Sequence, residues 1–173
     1  MSAIQQSDAD PTNQVAWCRD VLALVNRAES LHAAAANPTN VGASDPPVGP
    51  VRIGDQALQR LVDVAVPLIL KVSTPSPMPS PLPLWLAEAI YLRATCEASG
   101  AYPQFIPQSS RSAFRDFEQS ARSGYHAAWF KLGRDYENFN DFNRAKNCFE
   151  RGVTHGDERC LYVRSVFRGT FGI

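Results

Sequence analysis

The chain has 173 residues, enough for one ordinary domain or for a few short repeats behind a tail. Lys plus Arg equals Asp plus Glu at 17 each, so the formal net charge is zero and the electrostatic footprint of a general nucleic-acid binder is missing. No apolar run is long enough to span a membrane, and the polar start, Met1 to Asn13, lacks the features of a secretory signal; the expected setting is cytoplasmic.

In chain order, residues 1–13 carry Asp8, Asp10 and Pro11 and read as a disordered start. Trp17, Val21, Leu24, Val25, Ala28 and Leu31 then recur at helical steps, which predicts an amphipathic helix over 14–36 with Asn13 as its N-cap. The prolines and glycines of 37–54 predict a loop. A second helix is expected after Asp55, whose carboxylate suits an N-cap, and it carries Leu58, Leu61, Val62, Ala65, Leu68 and Ile69. Pro67 lies inside that pattern and is expected to kink or shorten the helix.

These two helices make a front segment, 14–72. The tract 73–83 has a proline at every second position from Pro75 to Pro83, which rules out a regular helix and predicts a linker. Ser76-Pro77 and Ser80-Pro81 match proline-directed kinase sites and the prolines match SH3 or WW ligands, but a plain spacer accounts for both.

The region 84–173 predicts two helix pairs: about Leu84–Ala98 with Ser110–Ser123, then about Ala127–Asn138 with Phe142–Thr154. The second helices of the two pairs align at an offset of thirty-two residues, with Ala113, Phe117 and Ala121 matching Ala145, Phe149 and Val153. Gly124 and Gly156 fall just past them, where a left-handed residue ends a helix at little cost. The first helices align less cleanly. An offset of thirty-nine sets Ala94 on Gly133 but puts Arg93 on Leu132 and Glu97 on Tyr136; an offset of forty sets Leu92 on Leu132. The first keeps small residues where helices must approach and is preferred. Gly133 costs about 1 kcal/mol of helix stability relative to Ala, which predicts another helix passing too close for a side chain. Each pair has an apolar face it cannot bury alone, so the fold class is all-α, with antiparallel helix hairpins stacked as an α-solenoid after two helices and a Pro-rich linker.

Ala128, Leu132, Gly133 and Tyr136, followed by Ala145, Phe149 and Gly156, resemble the Sel1-like repeat, a relative of the tetratricopeptide repeat. The copy at 127–156 matches well and the one at about 87–124 loosely. The run from Trp129 to Asn138, with Cys148 to Val153, is similar to fungal chitin synthase activators and related cell-wall regulators. The resemblance implies an adaptor that binds protein partners, meeting a membrane only peripherally through a membrane-bound partner. After Gly156 a third pair opens with Glu158 to Tyr162, but its Leu, Gly and Tyr positions fall on Arg164, Ser165 and Arg168, so the last repeat reads as incomplete. The expectation is a truncated form of a longer repeat protein; Thr170 to Ile173 contains no cysteine for prenylation.

Aromatics anchor interfaces, which makes Trp129, Tyr136 and Phe139, with Arg134 beside them, the candidate protein-binding residues, although repeat core accounts for the aromatics and a solvated face for the charge. Cys18, Cys96, Cys148 and Cys160 form no C-x-x-C and read as buried free thiols. His126 and His155 lack a convincing set of further ligands, so no metal is expected. No phosphate-cradling loop, nucleophile elbow or H-E-x-x-H appears, so neither catalysis nor a cofactor is expected. The rival readings are a hydrolytic enzyme of a repeat family and a fragment that does not function.

Overall fold

The first helix begins before its apolar stripe does. In the computed structural model, which describes residues 10–36 and 49–171, α1 spans Pro11–Ala36. Asp10 Oδ1 accepts from the Thr12 amide at 3.1 Å, and Pro11 takes the first helical position, where its missing donor is not needed. Asn13 therefore lies inside α1 and does not cap it. The expected disordered start overlaps α1 at Pro11–Asn13, and of its remainder 1–9 lies outside the described residues, as does the part of the expected 37–54 loop over 37–48.

The second helix, α2 (Gln56–Ser73), is capped as expected, with Asp55 Oδ1 accepting from Ala57 at 2.8 Å and Leu58 at 3.3 Å. Pro67 does not shorten it. The carbonyl deprived of a donor belongs to Asp63, a solvent-exposed residue, while Val62, Val66 and Ile69 are fully buried and hold the helix down across the proline.

What they are held against differs from the expectation of a separate front segment. Val15, Cys18, Val21 and Val25 of α1 and Val62, Ala65, Val66 and Ile69 of α2 share one core with Ala89, Leu92 and Cys96 of α3 (Leu84–Ser99). The tract expected as a linker thus joins two helices packed on one another, and Ser73 belongs to α2. Neither α1 nor α2 can hide its stripe against the other alone, and α3 supplies the missing face. Each fully buried Val, Leu or Ile is worth about 1.5–3 kcal/mol, so this shared face outweighs any tendency of the prolines to keep the segments apart. Tyr102 and Ile106, from the loop after α3, are buried in the same core, and the amides of Gly49 and Val51 donate to the carbonyls of Ser99 and Ala101.

The remaining helices are α4 (Ser110–Arg122), α5 (Ala128–Asn138), α6 (Phe142–Thr154) and α7 (Glu158–Phe171); the described residues contain no strand. Each packs on its neighbours along the chain. The pair α4 and α6 is built alike at both ends. Ser109 caps α4 by accepting from the Ser112 amide at 3.2 Å, and Asp141, thirty-two residues on, caps α6 by accepting from Arg144 at 3.2 Å. At the other end Gly124 (φ +101°) and Gly156 (φ +84°) turn the chain through the left-handed region. Tyr125 N then donates to Ser120 O at 3.1 Å, and Asp157 N to Gly152 O at 2.9 Å, the bond spanning five residues that marks a Schellman closure in each case.

Between the helices, small residues set the approach distance. A Cβ on Gly133 would lie 2.5 Å from Phe149 Cε1, so the predicted close passage is real and the passing helix is α6. Ala94 packs with Phe117 and Ala113 in the first hairpin, the placement that the thirty-nine-residue offset implies. Gly152 is pressed against Cys160 of α7. At the matching position of α4, Ser120 is fully buried and its Oγ donates to the Ala87 carbonyl at 2.7 Å. Tyr91 of α3 packs against three of the apolar clusters, its ring 5.7 Å from that of Phe117 and 4.9 Å from that of Tyr125.

Candidate protein-binding surface

The α5 helix divides its residues between core and surface along one stripe. Trp129 is only 7% exposed, its ring under the Arg151 guanidinium at 4.9 Å, so it serves the core. Leu132 is buried beside Cys148 and Ala121. Tyr136, two turns along from Trp129, is half-buried: Phe114 of α4 meets it edge-on at 5.3 Å and Arg144 of α6 lies 5.7 Å from its centre. Arg134 is exposed and bonded to Glu137 at 2.7 Å, a surface pair of little energetic weight.

Phe139 is the accessible member, 68% exposed and 6.1 Å from the Phe114 ring. Phe142, the first residue of α6, is 44% exposed. Tyr136 and Phe139 of the four candidate residues thus come together around Phe114, Arg134 sits among solvated charges, and Trp129 faces inward. The sequence reading missed Phe114 and Phe142. Both extend the apolar stripe of their own helices toward its start, Phe114 three and seven residues before Phe117 and Ala121 and Phe142 three and seven before Ala145 and Phe149, and following each stripe back one turn would have found them.

A cluster of buried charge lies elsewhere, between α2, α3 and α4. Arg93 Nη2 and Nε donate to Asp116 Oδ2 at 2.6 and 2.8 Å, and its Nη1 reaches the Ser73 carbonyl and hydroxyl at 3.2 and 3.1 Å. Glu97 accepts from Ser112 Oγ at 3.1 Å, while its Oε2 is buried without a hydrogen-bond partner. Burial, and then the neighbouring Asp116 carboxylate, push the Glu97 carboxyl above the usual range. Perturbed carboxylates often mark active sites. Here Asp116 is committed to Arg93, and Arg93, Glu97 and Asp116 are 12–13% exposed, an arrangement that holds three helices in register.

The four cysteines are free and buried, and burial pushes their thiols up: Cys18, Cys96 and Cys160 to about 12, Cys148 to about 11. That is the environment of packed, unreactive sulfur. His126 and His155 stack face to face with ring centres 3.4 Å apart, and burial followed by the second imidazole holds His126 below its ordinary value. Among the described residues no group of three or more His, Cys, Asp and Glu is arranged to hold a metal ion, and no helix is long and apolar enough to cross a membrane.

No protein-family model, curated protein or solved structure matches the chain. The all-helical fold and the surfaces described above therefore carry the functional reading.

Proposed function

We propose that this protein is a non-catalytic scaffold or activator that binds protein partners through stacked Sel1-like helix hairpins. The observation that carries the reading is the aromatic ledge at the α5–α6 turn, where exposed Phe139 projects beside half-buried Phe114 and Tyr136, and Phe142, partly exposed, opens α6. Rigid aromatics backed by packed neighbours are what protein interfaces use as anchors. The matching caps of α4 and α6, and the pairing of Phe117 with Ala94 and of Phe149 with Gly133, support the hairpin-repeat part of the reading. The finer proposal follows the resemblance alone: a regulator of chitin synthase or of cell-wall signalling in a fungal cytoplasm, reaching the membrane only through a membrane-bound partner.

The test is an affinity capture scored by mass spectrometry with three baits: the wild-type chain, Phe139→Glu and the surface control Glu150→Ala. A chitin synthase subunit or its regulator, retained by wild type and control and lost with Phe139→Glu, is the expected result. Equal recovery on all three baits removes the ledge as the binding surface. Recovery of nothing above a bait-free resin removes the scaffold reading.

A further inference from the structure

The open end of each hairpin, away from its connecting loop, is shut in its own way. In α3–α4, Ser120 Oγ near the end of α4 donates to the Ala87 carbonyl near the start of α3 at 2.7 Å, a bond that does not titrate. In α5–α6 the position of Ser120 is held by Gly152, which has no side chain to offer. Two histidines meet there instead. His126 lies in the turn before α5, and His155 ends α6, its amide donating to the carbonyls of Arg151 and Gly152 at 3.3 and 3.1 Å. Their rings stack with centres 3.4 Å apart and planes 6° from parallel. At the offsets that relate the hairpins, thirty-nine and thirty-two residues, these positions fall on Ala87 and Ser123, neither of them a titrating residue.

We infer that the stacked pair is a proton-sensitive clasp, which shuts the α5–α6 hairpin at neutral pH and releases its open end in acid. Two neutral imidazoles stack well, and one proton is tolerated because a cation over a neutral ring is attracted to it. A second proton is not, since two cations at this separation repel and the pair sheds that repulsion only by parting. His126 resists its proton for a further reason. An imidazolium has an N–H on both nitrogens, and His126 Nδ1 is buried with no hydrogen-bond partner. Burial, and after it His155, accordingly hold His126 below its ordinary value.

The charged groups of the surrounding elements are engaged with one another. Arg151 of α6 lies over the Trp129 ring, and Lys131, the first charged residue of α5, acts on Asp135. On α7, Arg159 is paired with Asp157 at 2.6 Å and reaches the Ala127 carbonyl at 3.4 Å, while Glu158 is exposed. Arg122 of α4 is paired with Glu118, and Glu88 of α3 with Arg19, each at 2.9 Å. Tyr125, next to His126, is pushed by burial up to about 12 and stays neutral. The unfolded chain therefore binds protons that the clasp refuses, so the hairpin loses stability as pH falls below about 6.5 and keeps it above. Neither the ledge nor the binding of partners enters into this inference.

NMR of the full chain tests it. The His126 imidazole is expected to titrate below about 6.5, the ordinary histidine value, and a midpoint at or above that value overturns the clasp. Hydrogen exchange reads the release. The amides of Trp129 and Asp157 donate to the His126 and Gly152 carbonyls at the clasp, and those of Leu86 and Ser123 lie at the matching end of the first hairpin. Between about pH 7.5 and about pH 5, protection at Trp129 and Asp157 is expected to fall at least ~10-fold. Protection at Leu86 and Ser123 is expected to hold within about two-fold. His126→Phe combined with His155→Phe keeps two flat rings and leaves nothing to titrate, so in that variant the fall is expected to vanish. Equal protection at both pH values in the wild type overturns the inference, as does a fall that the double variant leaves unchanged. A fall of the same size in both hairpins marks general acid unfolding and overturns it too. The wild-type measurements decide the matter even where the double variant does not fold.

Discussion

The hairpins α3–α4 and α5–α6 hold together by opposite chemistry at matching places. In the second, Leu132, Tyr136 and Cys148 belong to one apolar cluster. In the first, the same positions carry Arg93, Glu97 and Asp116, and those three form the buried charged cluster. Each departure from the apolar pattern looks damaging when read singly. Together they are compensated, because the charge introduced on α3 is met by the charge introduced on α4. That pattern predicts that the backbone accepts either set, provided the set is exchanged whole.

The hardest blow to that comparison is to break the charged set. Asp116→Ala leaves Arg93 buried with its main partner gone, and the expected loss is about 3–5 kcal/mol in urea unfolding; a loss no larger than that of a surface alanine would show that the cluster holds nothing. In the apolar hairpin the weak point is steric. Gly133→Ala places a methyl group into the Phe149 ring, and overpacking of this kind costs about 1–3 kcal/mol, offset in part by the better helix propensity of alanine. The same measurement reads it, and a net gain would mean that the α5–α6 approach is looser than described.

Exchanging the whole set sharpens the comparison. Arg93→Leu, Glu97→Tyr and Asp116→Cys combined are expected to leave stability within about 1 kcal/mol of wild type, because a well-packed apolar group replaces a buried ionic one at little net cost. A triple variant as unstable as Asp116→Ala would instead make Ser73, which Arg93 also binds, the reason the charge is kept. Glu97→Gln should give the smallest effect, and its sign depends on pH. The folded carboxyl is raised above its unfolded value, so its contribution is fully present in acid and is lost as pH rises through the raised folded value. The amide does not ionise. The variant's melting temperature should therefore gain on that of wild type from acid to neutral pH, and a constant difference across that range would show that Glu97 titrates like an exposed carboxylate.

The parts of the fold legible in the sequence were those with local signals. Bounds for α4 and α6 followed from a repeated stripe closed by a glycine, and Gly133 announced its neighbour because a glycine inside a helix needs a reason. The register of α3 was harder to read because Arg93 and Glu97 interrupt its stripe, and only Ala94 against Phe117 points to the offset. The shared core of α1, α2 and α3 was not legible. A stripe shows that a face is buried and not what buries it, and the prolines between α2 and α3 suggested distance where the helices are packed. For the candidate surface, a run of aromatics gave the region but not the direction. Trp129 and Phe139 read alike in the sequence, and packing separates them.

Stacks of hairpins are prone to fray one unit at a time from a loose end. Tyr91 works against that here, since a single ring is held in common by the front helices and by both hairpins. Peeling any one of them away strips contacts from the others, which favours a single melting step over a staircase.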